Sequence, residues 1–408
     1  MTGTVLSQII SYSISPILTR IYSTEEMGDL GIYMRVVGFI SALATARYEM
    51  SLPLPKNDSH SFLLLRLSIR IAMFTMLFCT VIGLIFLFTR PFSLYEVFFV
   101  FISLLSSAFL VIINLGTNWA IRKKQFTKIS NSKISNSLVS NGLRLGFGVI
   151  GWGSFGLLLS SLIGYLISSI GFLKEFFRNE KFFRKYKSKK KTSVLIAEYR
   201  EFPLISLPHV LLDLGRDVLI AFIIVLYFGK DCFGSYSFSI MMLSLPLAIA
   251  GQSIGQVFFN KCSEIINNNG SIEVLLKKTL TILFLLSSLP FCVLFFWSEE
   301  LFQIVFGEKW SVSGQYTEIL TVWIFFNFLI SPLSNIPIVL NRQKNYFYIG
   351  IIATFCQLFI FGVLPLIIGT TKSDFTIVLW SLSISQAIIM IFTTFIFIRY
   401  AKSGRKVV

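Results

Sequence analysis

Ile71-Ala-Met-Phe-Thr-Met-Leu-Phe-Cys-Thr-Val-Ile-Gly-Leu-Ile-Phe-Leu-Phe88 runs without a single charged residue. A hydrocarbon core about 30 Å thick takes about 20 apolar residues as a helix, and this run lies inside a longer apolar segment, 61–89. Working outward, eleven more segments of the same kind follow: 1–19, 30–46, 94–116, 129–151, 154–173, 203–228, 234–259, 277–297, 316–340, 346–369 and 375–398. Hydrophobic residues make up 54% of the 408, charged residues 14%, and mean hydropathy is +0.76. No soluble domain of this length carries so many such runs. They are long and continuous, whereas barrel strands alternate over about ten residues. The expectation is an all-α polytopic membrane protein of about twelve transmembrane helices. Pro16, Pro246 and Pro332 fall inside spans, where neighbouring helices can satisfy the freed carbonyls.

The basic residues set the orientation. On one side lie the gaps 46–60, 119–133, 174–200, 260–278 and 341–345 with the tail 399–408, and they hold 26 of the 36 Lys and Arg. The opposite gaps hold 5: Arg20, Arg90, Lys230, Lys309 and Lys372. Arg35, Arg66, Arg70, Arg144 and Arg216 fall within spans. This positive-inside bias places both termini in the cytoplasm. The net charge of +16 therefore has a topological cause; with no Zn-ligand spacing and no soluble basic domain, it is not a nucleic-acid footprint. The stretch Lys174 to Lys191, with Phe176, Phe177, Phe182 and Phe183, reads as a cytoplasmic loop against anionic headgroups, or as a docking site for a partner enzyme. Cys79, Cys232, Cys262, Cys292 and Cys356 are odd in number and lack metal spacing, so they read as small buried apolar residues. The first span opens at about residue 1 with no cleavable signal pattern.

Two halves are expected. Tyr22-Ser-Thr-Glu-Glu-Met-Gly28-Asp-Leu-Gly-Ile-Tyr33 follows the first span, and Tyr227-Phe-Gly-Lys-Asp-Cys-Phe-Gly234-Ser-Tyr236 follows the seventh. Ile121-Arg-Lys-Lys-Gln-Phe126 is echoed by Leu340-Asn-Arg-Gln-Lys-Asn345. Both echoes fall six helices apart, which suits two similarly oriented six-helix bundles around a central cavity. The expected divisions are 1–173, a basic cytoplasmic linker over 174–202, and 203–408 with a cytoplasmic tail.

The polar stripes carry the chemistry. On the seventh helix Ser206, His209, Asp213, Arg216 and Asp217 share about 100° of arc, and on the first Thr4, Gln8, Ser11, Tyr12, Ser15 and Thr19 do likewise. A central Arg or Asp facing lipid costs about 2.5–3.5 kcal/mol. The seventh helix therefore reads either as a cavity wall or as a self-neutralising cluster, Asp213 pairing with Arg216 and Asp217 with a neighbouring helix. His209 alone reads as a packed or hydrogen-bonded histidine. The fifth helix adds Ser132, Asn136, Ser140 and Arg144 at i, i+4 steps. At about 1.5 Å per residue, Arg144 and Arg216 lie roughly 20 Å deep. Arg47 near the cytoplasmic mouth and Arg20 and Arg35 near the periplasmic one complete the candidate cationic substrate-binding set with Arg144 and Arg216, although snorkelling explains these three equally well. Deep guanidinium groups match phosphate oxygens two at a time. The neutral groups Gln8, Ser15, Asn136, Ser140 and His209 suit sugar hydroxyls, each of which costs about 2–7 kcal/mol to bury unpaired. Asp213, Asp217 and Glu49 are the candidates for energy coupling. No metal or cofactor is expected.

Four stretches carry a resemblance. They are Gly3-Thr-Val-Leu-Ser-Gln8 with Ser15-Pro-Ile-Leu-Thr-Arg-Ile-Tyr22, Ala46-Arg-Tyr-Glu-Met-Ser-Leu-Pro-Leu-Pro55, Tyr199-Arg-Glu-Phe-Pro-Leu-Ile-Ser-Leu-Pro208, and Leu245-Pro-Leu-Ala-Ile-Ala-Gly-Gln-Ser-Ile-Gly-Gln-Val-Phe-Phe259. In this order, with the helix count, they resemble bacterial polysaccharide-repeat flippases, the Wzx-type members of the multidrug/oligosaccharidyl-lipid/polysaccharide exporter superfamily. The resemblance implies a non-enzymatic flippase for undecaprenyl-pyrophosphate-linked oligosaccharide repeat units, serving O-antigen, capsule or related polysaccharide by alternating access. It implies a cationic central cavity, which Arg144 and Arg216 fit, and partners among membrane lipids and other polysaccharide assembly proteins. Arg47, Tyr48 and Glu49 match the family motif.

Two other classes compete. A drug or small-cation antiporter on the same fold would want acidic cavity groups rather than deep arginines. A membrane polymerase or glycosyltransferase would want a large periplasmic loop or an Asp-x-Asp site. The longest periplasmic gap is 298–315, and no Asp-x-Asp occurs.

Overall fold

The computed structural model describes the chain except residues 1, 90–92, 184–188, 269, 335, 341 and 404–408. Among the described residues there is no strand. The helices are α1 (Thr2–Ile21), α2 (Thr24–Ala44), α3 (Asp58–Phe88), α4 (Leu94–Arg122), α5 (Phe126–Ile150), α6 (Gly153–Phe183), α7 (Lys189–Glu198), α8 (Leu207–Asn267), α9 (Glu273–Phe306), α10 (Ser311–Ile330), α11 (Ile336–Val339), α12 (Gln343–Ile368) and α13 (Lys372–Ser403). A non-helical Gly229, at φ 86 and ψ 169, breaks α8 into two limbs. Counted with that break, each expected span lies on its own helix except 316–340, which is divided: α10 stops at Ile330, a 3-10 turn with Pro332 follows at Ser331–Leu333, and α11 takes Ile336–Val339. Among the described residues, eight helices are long and apolar enough to cross a membrane. The remaining expected spans, α1, α5 and the limbs of α8, hold the polar stripes.

Local sequence explains the helix starts. Ser23 and Ser93 form capping boxes with Glu26 and Glu96, so the acidic turn after the first span is a helix cap, satisfying orphan amide donors. The matching turn after the seventh span is built differently, as the Gly229 break, because only glycine adopts that backbone freely. A one-turn π-helix, Phe202–Ser206, leads into α8.

The stretch expected as a cytoplasmic loop is largely helical. α6 continues to Phe183, past the expected end at 173, and α7 follows within the linker. Lys and Glu are good helix formers, so the helix need not stop where the hydrocarbon does. Residues 184–188 of the basic stretch lie outside the described residues, as do Arg405 and Lys406 of the tail. Leu195 of α7 is buried with Leu52, Phe62 and Trp119, and Tyr48 donates across to the Ile196 carbonyl at 3.5 Å.

The chain forms two compact units, Met1–Leu219 and Ile220–Val408. Their internal pairings correspond. In the first, α4 packs on α6, α5 on α6 and α3 on α4; in the second, α10 packs on α13, α12 on α13 and α9 on α10. A single contact shows the repeat at atomic level. Tyr22 donates to the Arg144 carbonyl at 2.6 Å, and Tyr227 donates to the Gly362 carbonyl at 3.4 Å. Each tyrosine ends one span and reaches the fourth span after it.

Helix seams use small polar residues, as membrane bundles do. Ser239 donates to the Ser313 carbonyl at 2.7 Å and Ser383 to the Ile319 carbonyl at 2.6 Å. Large apolar side chains such as Phe74, Leu77, Leu285 and Leu289 stay exposed on α3 and α9, which in a bilayer is the lipid-facing sheath.

Candidate functional site

α5 has too many serines to be an ordinary core helix, and its neighbours show why. Its Ser137 and Asn141 face α1: Asn141 Nδ2 donates to Ser11 Oγ at 3.0 Å, Ser137 Oγ donates to the Ser7 carbonyl at 2.8 Å, and the Ser11 and Ser137 hydroxyls lie 3.0 Å apart. Its Ser132–Asn136–Ser140–Arg144 stripe faces α6. Ser132 and Ser168 exchange hydroxyl-to-carbonyl bonds of 3.2 and 3.0 Å, and a Cβ on Gly164 would stand 3.0 Å from Ser140 Cβ and 3.1 Å from Asn136 Oδ1. Both polar stripes thus line interhelical seams. This corrects the expectation of an open wall for Ser15 and Ser140. Ser15 is buried with its hydroxyl on the Tyr12 carbonyl, and Ser140 is buried with its own on the Asn136 carbonyl. A serine satisfied by its own helix packs closely without needing water. Asn136 and Gln8 are half-buried.

Arg144 closes the α5–α6 seam. Its Nη1 donates to Asn141 Oδ1 at 3.2 Å and its Nη2 to Ser161 Oγ at 2.9 Å. Its Nε is buried and has no hydrogen-bond partner among the described residues. The titratable groups acting on it are the phenols of Tyr165, Tyr33 and Tyr22. Among the described residues no carboxylate pairs with it. The guanidinium is a cation held by neutral dipoles, a constellation that accepts an anion.

Arg216 is different. Its Nε and Nη2 donate to Asp217 Oδ1 at 3.1 and 3.0 Å, and Nη1 stands 3.8 Å from Asp213 Oδ1. Its side chain is 23% exposed, against 53% for Asp213 and 46% for Asp217. Asp217 therefore pairs with Arg216 itself and not with a neighbouring helix, and the trio carries a formal charge of −1. Nor is it an isolated cation of the kind expected. His209 is exposed on the same limb of α8.

Arg47 and Glu49 form the third cluster, in the turn between α2 and α3. Arg47 adopts a left-handed backbone, φ 62, and its Nη1 lies 3.3 Å from Glu49 Oε1. Glu49 is buried and accepts a hydrogen bond from Thr45. Burial pushes its carboxyl up from the usual range, outweighing the hydroxyl and the guanidinium. Arg35 donates to the Gly31 carbonyl at 3.1 Å along its own helix, and Arg20 is exposed at the end of α1. No hydrogen bond or ion pair among the described residues joins the Arg144, Arg216 and Arg47 clusters to one another.

Two charged assemblies escaped sequence reasoning. Arg122 Nε donates to Asp58 Oδ1 at 2.9 Å and its Nη1 to the Pro55 carbonyl at 2.6 Å, clamping the 46–60 turn. Buried Glu175 accepts from Trp119 Nε1 at 3.2 Å and from Lys128. Glu175 lies in a basic run where one acid carries no visible signal. Ser161, by contrast, was findable: Ser161, Gly164 and Ser168 repeat at helical spacing opposite the α5 stripe.

Set against known proteins, residues 17–315 match the model of a family described as polysaccharide biosynthesis protein. No curated protein matches the sequence. Among solved structures, an inward-facing multidrug resistance MATE family transporter of the MOP superfamily is similar over 97% of this chain and 96% of its own, with TM-score 0.66 at 10% identity. The lipid II flippase MurJ, in an inward closed conformation, is similar over 98% and 90%, with TM-score 0.66 at 13% identity. A MOP superfamily transporter from Pyrococcus furiosus is similar over 98% and 94%, with TM-score 0.56 at 10% identity. At such identities these likenesses show the fold, that of multi-pass membrane transporters.

Proposed function

We propose that this chain, which belongs to the polysaccharide biosynthesis protein family, is a flippase for undecaprenyl-pyrophosphate-linked oligosaccharide repeat units. It works by alternating access in the bacterial inner membrane, with both termini cytoplasmic, and serves O-antigen, capsule or a related polysaccharide. The observation that carries this reading is Arg144: a membrane-helix guanidinium whose partners are an amide and a hydroxyl, with no carboxylate among the described residues. An uncompensated charge at depth costs several kcal/mol. An anionic headgroup supplies the missing partner, and the planar fork suits a pyrophosphate.

Arg144→Ala tests it. Surface polysaccharide is lost and lipid-linked repeat units collect on the inner leaflet, while the protein stays in the membrane at normal levels. Arg144→Lys rescues poorly, because a point charge does not reproduce two parallel donors. Normal surface polysaccharide in Arg144→Ala overturns the reading.

The Asp213–Arg216–Asp217 trio favours a second reading, a cation-linked antiporter. Its net negative charge and exposed carboxylates suit a proton or small cation. Asp213→Asn with Asp217→Asn separates the two: drug efflux lost with polysaccharide intact selects the antiporter.

A further inference from the structure

Between α3, α4 and α6 the first unit carries an apolar groove of about 350 Å³, which the cargo reading does not use. It runs from Met76 and Ala108 at one end to Leu65 and Trp119 at the other. Its mouth is formed by Met73 and Phe177, 60% and 62% exposed. α3, from Leu65 to Met76, and α4, from Ala108 to Trp119, each cover the distance in a rise of eleven residues, about 16 Å at about 1.5 Å per residue, while α6 lines only the Trp119 end, from Phe172 to Phe177. That is close to half of a hydrocarbon core about 30 Å thick. The groove is one leaflet deep.

Its Trp119 end is ringed by charge, at the membrane face that carries the excess of basic residues. Lys123 Nζ lies 5.4 Å from the Trp119 ring centroid and Lys128 Nζ 5.8 Å from that of Phe172. Both aromatics line the groove. Arg122, Lys124, Lys174 and Arg178 neighbour them in sequence. Against these six cations stand Asp58, shared by Arg122 and Lys123, and Glu175, held by Lys128. A surplus of four positive charges remains over a hydrocarbon slot.

We infer that the groove holds one acyl chain of an anionic glycerophospholipid of the cytoplasmic leaflet, with the lipid phosphate at Lys123 and Lys128. Apart from Glu175, which lines the charged end and is paired with Lys128, the lining is apolar and suits a hydrocarbon chain, and the surplus charge selects an anionic headgroup over a zwitterionic one. The depth matches a leaflet lipid, whereas a polyprenyl chain would overrun the slot. The site is independent of the cargo and of Arg144.

The test uses the full-length protein in nanodiscs of mixed phosphatidylglycerol and phosphatidylethanolamine, with bound lipid identified by native mass spectrometry after release. Wild type retains phosphatidylglycerol. Ala108→Phe, which fills the inner end of the slot, and Ile112→Phe, one turn nearer the Trp119 end, each lower its retention about tenfold. Lys123→Gln with Lys128→Gln abolishes the preference over phosphatidylethanolamine. The rim pair leaves the apolar lining of the slot in place, and a glutamine at 128 can still donate to Glu175, so this pair, read in folded protein, decides the matter should either filling variant melt early. Undiminished preference in the rim pair overturns the proposal, as does wild-type retention in a folded filling variant. Displacement of phosphatidylglycerol by added undecaprenyl phosphate also overturns it.

Discussion

Tyr22 donates its phenol hydrogen to the backbone carbonyl of Arg144 at 2.6 Å. The bond ties the end of α1 to the residue whose side chain makes the candidate anion site, and Tyr22 is 1% exposed. Gly148 leaves room for it, since a Cβ there would stand 3.0 Å from the Tyr22 hydroxyl oxygen. Removing the donor costs about 0.5–1.5 kcal/mol. Tyr22→Phe is expected to lower the unfolding temperature in detergent and to weaken transport without abolishing it. Tyr227→Phe should do less, because its bond is 3.4 Å long and half-buried.

Arg122 is the most heavily committed arginine outside that site. Its side chain is 8% exposed, and it holds Asp58 and the Pro55 carbonyl together. Asp58 is 45% exposed and also held by Lys123, so the ion pair itself adds little. The larger loss is the buried guanidinium's bonds to the turn carbonyls, about 1.5–3 kcal/mol for a well-made charged one. Arg122→Ala should destabilise the first unit. Hydrogen exchange should rise selectively in residues 46–60. Lysine should not restore protection, because it lacks the fork that reaches several carbonyls.

For Asp213, Arg216 and Asp217 the geometry ranks the variants. Asp217 makes the 3.0 Å bond and Asp213 only a 3.8 Å contact, and both acids are well exposed. Exposed pairs of this kind are worth about 0–1 kcal/mol. Asp213→Asn and Asp217→Asn should therefore each shift stability by less than about 1 kcal/mol, Asp217→Asn the more. A transport defect in either, measured at normal membrane levels, then reports function and not folding.

Glu49 makes stability fall as pH rises. Its carboxyl is raised in the folded protein by burial. Between the ordinary carboxylate range and that raised value, the folded state holds a proton the unfolded chain has released. Stability is thus fullest below the ordinary range and declines as pH climbs through the raised value. Unfolding temperatures across this window should show the slope, and Glu49→Gln should flatten it. An unchanged slope in the variant would assign it to another group.

Gly314 marks where α10 begins against α9. A Cβ there would stand 2.5 Å from Glu299 Cα and 2.6 Å from the Ser298 carbonyl oxygen, both backbone atoms that cannot swing aside. Overpacking costs about 1–3 kcal/mol. Gly314→Ala should lower the unfolding temperature of the second unit, with Gly362→Ala, which meets nothing within 4 Å, as the silent control.

The sequence was most informative where physics is one-dimensional. Span length and the bias of Lys and Arg follow from the bilayer, so twelve spans could be read directly, and Arg144 could be placed at depth. Partner choice is three-dimensional. The α1 stripe was expected to face a cavity, yet Ser7 and Ser11 meet Ser137 and Asn141 of α5, a matter of helix rotation that one sequence does not encode. Arg216 and Asp217 are adjacent in the chain, and adjacent positions on a helix do not face each other. The long guanidinium stem bridges that gap, so their pairing was not foreseen. The capping boxes at Ser23 and Ser93 were written plainly as Ser-x-x-Glu, and only their role as turn-makers needed coordinates.

The turn that opens with Ala46 and Arg47 stores tension. Both residues are in the left-handed region, at φ 48 and 62, with no glycine to ease either. Each such residue costs about 1–2 kcal/mol. Anyone seeking a hardier version of this protein for crystals or biosensors therefore has an obvious first substitution, Ala46→Gly. Whether that gain in robustness slows the transport cycle becomes a direct measure of how much the taut turn matters.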